Sequence, residues 1–403
     1  MREQSLLLSG IRVLDIATFV AGPAAATIMG DFGAEVIKIE APGDGDPHRA
    51  LGQLSSIPQH HVNFCWHMDS RNKKSIALDL KRPEGRAVLL RLIEKSDVLV
   101  TNFPPGVRER LGLRYEDVGP INPRLIYASL TGYGEHGPDA GQPGFDSTAY
   151  FARSGLIDAL TYEDAPPAFS VPAQGDHATA MALFGAIMMA LYNRQITGKG
   201  GWVGTSLLAN GLWANSLIVQ GALLGAHLAP RPPRTRPRSA LGNQYRTRDG
   251  RWLQLTIVRE EKLWTPFCIA IERRELTEDP RFIDTPARRA NGAALAAILD
   301  QVFAARDLAH WRERFKAADV TFGVLGRVRD IPEDPQAMAC GAVVDADNAE
   351  MPRTIDSPLH VSFSDKRMPR PGPRLDEHRD EVLRLAGYSA SEAEALRACG
   401  AIA

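Results

Sequence analysis

Strand and helix signals alternate along the N-terminal third of the chain with very short connections, and no other feature constrains the fold as much. Ile11-Arg12-Val13-Leu14-Asp15-Ile16 is an apolar run of strand length. A turn containing Gly22-Pro23 follows, then a helical pattern over Ala24–Phe32. Gly33 closes that helix, and Glu35-Val36-Ile37-Lys38-Ile39-Glu40 is a second strand. Strands joined through a helix run in the same direction, so the unit predicts a parallel sheet covered by helices. The pattern repeats with strands at Ser75–Leu80, Asp97–Thr101 and Leu125–Leu130. Between them, a helix over Pro83–Ser96 starts on proline and sets Val88, Leu89, Leu92 and Ile93 on one face. The large first region is therefore α/β. No G-x-G-x-x-G and no Walker A motif follows the first strand, so Rossmann-like character here is architectural and carries no function by itself.

A long apolar helix then opens at Gly175-Asp176-His177 and runs to Gln195, ahead of Thr197-Gly198. Trp202–Ser206 reads as a strand and Leu207–Leu224 as a second apolar helix. His227–Arg238 holds four prolines and four arginines. It reads as a stiff solvated linker or as a stretch whose arginines approach an anionic ligand. Arg251–Ile257 is a strand, with helical patterns at Glu261–Ile271, Gly292–Ala305 and Leu308–Ala318, and the tail closes with helices at Glu377–Ala386 and Ala390–Cys399. The expected organisation is a large α/β domain begun by residues 1–224, a Pro/Arg-rich linker at 225–240 and a smaller α+β domain at 241–330. Residues 331–403 form a return linker and the C-terminal part of the large domain.

Bulk properties exclude several classes. A net charge of −1 over 403 residues gives no electrostatic reason to expect nucleic acid or an anionic membrane as partner. No apolar run is long enough to span a bilayer, and Met1-Arg2-Glu3-Gln4 opens no signal-like segment. Cys65, Cys268, Cys340 and Cys399 are scattered without metal-ligand spacing, which fits a reducing, cytoplasmic setting and no metal site.

Asp176 has two readings. It is an N-cap, since aspartate is favoured there and Gly198 is a favoured stop. Alternatively it is a carboxylate nucleophile at the positive end of a helix dipole.

Several segments together weigh on that choice. They are Gly10-Ile11-Arg12-Val13-Leu14-Asp15, Ala21-Gly22-Pro23-Ala24, Phe32-Gly33-Ala34-Glu35-Val36-Ile37-Lys38-Ile39-Glu40 and Asn72-Lys73-Lys74-Ser75-Ile76-Ala77-Leu78-Asp79-Leu80-Lys81. Asp97–Phe103 with Gly106 and Arg110-Leu111-Gly112, Gly175-Asp176 with Thr197–Gly200, Tyr245–Trp252 and Glu377–Leu383 continue the series. In order and spacing the chain resembles the family III (CaiB/BaiF-like) CoA-transferases, which include formyl-CoA and carnitine CoA-transferases and α-methylacyl-CoA racemases. The resemblance implies a Rossmann-like large domain built from both chain ends, a smaller central domain, and an interlocked homodimer. It implies transfer of CoA from an acyl-CoA donor to a small carboxylic acid acceptor. Asp176 would be the nucleophile, passing through aspartyl anhydride and aspartyl-CoA thioester. No permanently bound cofactor is implied, the CoA thioester being substrate.

The resemblance also nominates site residues. Leu78 matches an adenine-pocket position, and Asn102 and Phe103 line the CoA or thioester region just past a strand end. Lys73, Lys74, Lys81 and Arg110 are candidates for the nucleotide phosphates. The lysines are otherwise a solvated face, and Arg110 is otherwise an ion pair with Glu109 or Asp117. The family's basic residue after the second strand is Ala41 here. Gly175 leaves room for substrate, and Val20, Ala21, Tyr133, Phe145 and Asp146 are candidates for the acyl pocket. Val20 replaces a glutamine of oxalate-using relatives, which argues for a less polar contact. Some relatives close the site with a glycine-rich loop near Gly242-Asn243-Gln244, but this chain has no glycine run there. Racemases carry Gly-His-Asp where this chain has Gly144-Phe145-Asp146, and phenylalanine cannot exchange a proton. His136 and His177 are the candidate substitutes. Racemisation, intramolecular CoA transfer and a non-catalytic CoA-binding role are the competing readings.

Overall fold

The structure, a computed structural model, describes residues 6–402. The chain forms two compact units. One contains the chain up to Ala159, Phe169–Ala226 and everything from Gln336 on; the other contains Leu160–Ala168 and His227–Pro335.

The first unit is built on six parallel strands: β1 (Arg12–Asp15), β2 (Glu35–Glu40), β3 (Lys74–Ala77), β4 (Val98–Thr101), β5 (Ile126–Thr131) and β6 (Gly201–Ser206). They lie in the order β3-β2-β1-β4-β5-β6. Val13 sits between Val36 and Val98, so β1 is central. Strand period then divides the core. Val13, Val36, Val98 and Ala128 face the cluster formed with the helices Ala21–Asp31 and Gln174–Thr197. Leu14, Ile37, Leu99 and Tyr127 face the opposite cluster with Val88, Leu89 and Leu92. Both faces are covered, as a parallel sheet requires. The C-terminal segment belongs to this second cluster. Val382 and Leu383 are buried in it, and the Asp79 N–H donates to the Ala401 carbonyl at 2.9 Å.

The predicted strands all form, with ends shifted by a residue or a few, but two local readings need correction and one element goes unsignalled in the sequence. Gly22 and Pro23 lie inside the helix Ala21–Asp31 rather than in a turn. The reversal is made by Phe19, at φ 60°, and a side chain at Gly22 would meet the Ala17 Cβ at 2.5 Å. The predicted Leu207–Leu224 helix is two helices, Leu207–Ala214 and Ser216–Leu223, parted at Asn215. Asp146–Ala152 forms a π-helix that no sequence signal announced.

The second unit carries a three-stranded antiparallel sheet, β7 (Gln244–Arg246), β8 (Trp252–Leu255) and β9 (Phe322–Val324), with helices Glu260–Ala270, Gly292–Ala304 and Leu308–Ala317. Phe267, Phe303, Trp311 and Phe315 fill its core. The Pro/Arg-rich stretch is stapled within this unit. Arg234 pairs with Asp300 at 2.8 Å, Arg236 with Glu163 and Asp164, Arg231 stacks on Tyr162, and Arg238 donates to the carbonyls of Ala229 and Pro230.

Candidate active site

The helix bearing Asp176 starts earlier than its sequence implies. Ala173, at φ 63°, precedes it, Gln174 is its first residue, and Gly198 at φ 73° ends it after 24 residues. Asp176 therefore sits within the first turn, and its side chain is not spent on a cap. The first intrahelical bond runs from the His177 N–H to the Ala173 carbonyl at 3.0 Å. The N–H groups of the opening turn are left to face acidic groups, as at any helix start.

Those groups include Asp146, carried by the π-helix. Burial raises the Asp146 carboxyl, and the N–H groups of Ser147, Gly175 and Ala173 oppose that rise. Asp176 is half-buried beside it. Burial, then the charge of Asp146 and more weakly that of Asp69, push Asp176 up to about 7, while His177 pulls the other way. The helix terminus was expected to favour the ionised form; desolvation and the neighbouring carboxylates outweigh it. His177 bonds Asp69 through Nε2 at 2.9 Å and Ala173 O through Nδ1 at 3.0 Å.

Gly175 packs closely against the π-helix. A Cβ there would lie 2.6 Å from the Tyr150 ring, so the glycine lets the helix start close onto the π-helix. The loops on the far side are equally tight: a Cβ at Gly144 would meet Gly132 Cα at 2.7 Å and the Tyr133 ring at 3.1 Å. This brings Tyr133 to the segment carrying Phe145 and Asp146. Phe145 is 52% exposed and meets the Phe19 ring edge-on at 5.5 Å. Val20 and Ala21 are buried where the first helix begins.

A cavity of about 620 Å³ opens past the carboxyl ends of β1–β4, where the strand order reverses between β1 and β4. Crevices of open α/β sheets gather ligands there. Leu78, Lys81, Phe103 and Arg110 line it, as does Ala41. Three nominated residues do not. Lys73 is buried beneath, donating to Asp15 at 2.9 Å and to Pro23 O at 2.8 Å, with its ammonium fully enclosed. Lys74 is spent on Glu35 and Glu381. Asn102 exchanges hydrogen bonds with the Thr18 backbone and so pins the β1 exit loop to β4.

Sequence reasoning missed Arg86, which also lines the cavity. It lies in the first turns of the helix Pro83–Ile93. That turn is drawn in by Gly85, whose Cβ would fall 2.2 Å from the Asp79 carbonyl. A basic residue one turn beyond Pro83 was the available signal, indistinguishable from a solvated helix face. Lys81, Arg86 and Arg110 form no ion pair among the described residues. Glu109 and Asp117, the alternative partners for Arg110, are taken by Arg114. By contrast Lys38 on the cavity floor is neutralised by Asp46 at 2.7 Å. Three unpaired cations on one cleft suit a polyanion.

Comparison with known proteins agrees with this architecture. The family model described as CoA-transferase family III matches residues 8–379. The chain is 31% identical to a (R)-2-hydroxy-4-methylpentanoate CoA-transferase of Clostridioides difficile over 95% of this chain and 96% of that protein. It is 34% identical to an acetyl-CoA:oxalate CoA-transferase of Acetobacter aceti, covering 91% and 92%. Among solved structures, a CAIB/BAIF family protein from Brucella suis superposes with a TM-score of 0.83 at 28% identity, over 95% of this chain and all of that one. The Rv3272 protein of Mycobacterium tuberculosis gives 0.81 at 28%, covering 94% and 99%. A parallel sheet with a cleft lined by Lys81, Arg86 and Arg110 at its switch point, a carboxylate held in the opening turn of a helix, and these matches lead to one assignment: the chain belongs to family III of the CoA-transferases.

Proposed function

We propose that the enzyme moves CoA from an acyl-CoA thioester to a carboxylic acid acceptor with Asp176 as nucleophile. The observation that carries this reading is the placement of Asp176: in the opening turn of a helix, half-buried, free of capping duty and adjacent to Asp146. An Asp176 carboxylate oxygen attacks the thioester carbonyl, the C–S bond breaks, and CoA leaves as thiolate, giving a mixed anhydride. The thiolate attacks the aspartyl carbonyl, releasing the donor acid and forming aspartyl-CoA thioester. The acceptor carboxylate displaces CoA again to form a second anhydride. Thiolate attack on the acceptor carbonyl then frees acyl-CoA and restores Asp176. The cycle closes with no change in oxidation state and no net proton transfer, so positioning and exclusion of water are what the protein contributes.

Lys81, Arg86 and Arg110 hold the nucleotide phosphates in this reading, Leu78 and Phe103 its apolar walls. Arg86 supplies a charge that Ala41 does not. Phe145, Phe19 and Val20 present an apolar face to the acyl group, which favours donors or acceptors of low polarity over oxalate. The arginines of the Pro/Arg-rich stretch are internally engaged, so they do not serve an acceptor carboxylate. Racemisation is disfavoured because Phe145 offers no base and both ring nitrogens of His177 are already bonded. Intramolecular transfer would use the same nucleophile.

A homodimer fits the apolar surface of the helices Gln174–Thr197 and Ser216–Leu223, where Met189, Tyr192, Leu217 and Leu223 are exposed. The four free cysteines suit a reducing cytoplasm. The test of the nucleophile is Asp176→Ala. It should abolish transfer, by about a thousandfold or more, while calorimetry still registers CoA binding. Unchanged turnover would refute the assignment, and lost CoA binding would mark a structural role.

A further inference from the structure

Both nitrogens of the His177 ring meet atoms that only accept hydrogen bonds. Nδ1 lies 3.0 Å from the Ala173 carbonyl and Nε2 lies 2.9 Å from Asp69 Oδ1. Neither acceptor carries a proton to give, so each ring nitrogen must supply its own. The geometry selects the imidazolium. Both acceptors are fixed: Ala173 by the left-handed turn ahead of the helix, Asp69 by burial in the helix Phe64–Ser70.

The surroundings give that cation a task. Asp176, Asp146 and Asp69 all feel its charge, Asp69 through a direct hydrogen bond. The other charged groups around Asp69 are committed or neutral, Lys73 among them, which donates to Asp15 at 2.9 Å. Arg71 pairs with Asp31 through two bonds, of 2.8 and 2.7 Å. His48, 3.8 Å from Asp69 Oδ2, is held toward its neutral form by burial. Tyr150, against Gly175, carries no charge in the working range. Three carboxylates thus feel His177, the cation of this cluster that is not paired with Asp15 or Asp31.

We propose that His177, locked as imidazolium by Asp69 and the Ala173 carbonyl, is the counter-charge that keeps Asp176 ionised for attack. It is a positioning residue, acting through Asp176, and the inference rests on Asp176 being the nucleophile. Removing its charge leaves Asp176 facing Asp146 and Asp69 uncompensated, so ionisation moves to higher pH.

The test is the pH profile of acyl trapping on Asp176 in the full-length protein, with one acyl-CoA donor that the wild type accepts. His177→Gln keeps hydrogen-bonding capacity without charge. Its acid limb should move up by about one pH unit, a roughly tenfold loss of rate at pH 6 with recovery at high pH. His177→Lys, which restores charge without the ring's geometry, should bring the limb back and guards against a folding defect being misread. An unmoved limb in His177→Gln, with rate lowered equally at all pH or not at all, would overturn the proposal. Absence of trapping in the wild type with every donor would instead overturn the nucleophile assignment on which it rests.

Discussion

Asp176 faces opposed demands. In the proposed mechanism it attacks as an anion, yet burial and Asp146 hold its titration near 7. Such a poised group has a stability signature. Its folded-state value lies above the ordinary carboxylate value of about 4, so its contribution to folding is present below that pH. The contribution is lost as pH rises through about 7. Above pH 7 the wild type therefore bears the cost of a half-buried charge that asparagine would not. Asp176→Asn should be inactive but more stable than wild type by about 1–2 kcal/mol at pH 8, discounted for partial exposure, with the gap narrowing at pH 5 and closing only below about pH 4. Thermal melts at the two pH values measure this. The residue itself was legible in sequence as Gly-Asp at a helix start. Its electrostatic state was not, because Asp146 and Asp69 reach it only through the fold.

Single elements repeat the same division. Short strands with apolar runs were readable because burial on both sheet faces leaves no alternation to confuse, and their ends slipped only slightly. What could not be read was where elements meet. Gly22, Gly85 and Gly175 each look like ordinary punctuation, yet each marks a close approach: to Ala17, to the Asp79 carbonyl and to Tyr150. The helix Pro83–Ile93 shows the consequence. Gly85 lets its first turn press against the exit of β3, and this delivers Arg86 to the cleft. Lys73, the more conspicuous candidate, is buried on Asp15 instead. Arg86→Ala should weaken CoA binding by about tenfold, some 1.4 kcal/mol, with little change in melting temperature. Lys74→Ala should leave CoA affinity unchanged, because that side chain is engaged with Glu35 and Glu381. Titration calorimetry of both variants checks the pair.

At the scale of the molecule, two units are built from interleaved stretches of chain, and the last helices return to cover β3. That return was expected from the family resemblance, whereas the membership of Leu160–Ala168 in the second unit had no sequence marker. The apolar helix surfaces of the first unit carry a further consequence. Trp213 and Leu217 are 80% and 89% exposed, more than an isolated soluble chain usually leaves bare. Light scattering should give a mass of twice 44.0 kDa. Leu217→Glu should shift the species toward the monomer, and a wild-type monomer at micromolar concentration would contradict the proposed dimer.

The central claim concerns a covalent bond, so the most direct measurement looks for it. The protein is incubated with a panel of acyl-CoA donors, quenched with hydroxylamine, and the modified peptide is mapped by mass spectrometry. A hydroxamate is expected at Asp176 with at least one donor, and none in Asp176→Ala. Modification elsewhere would contradict it. So would an unmodified protein that nonetheless exchanges the α-hydrogen of a branched acyl-CoA for deuterium.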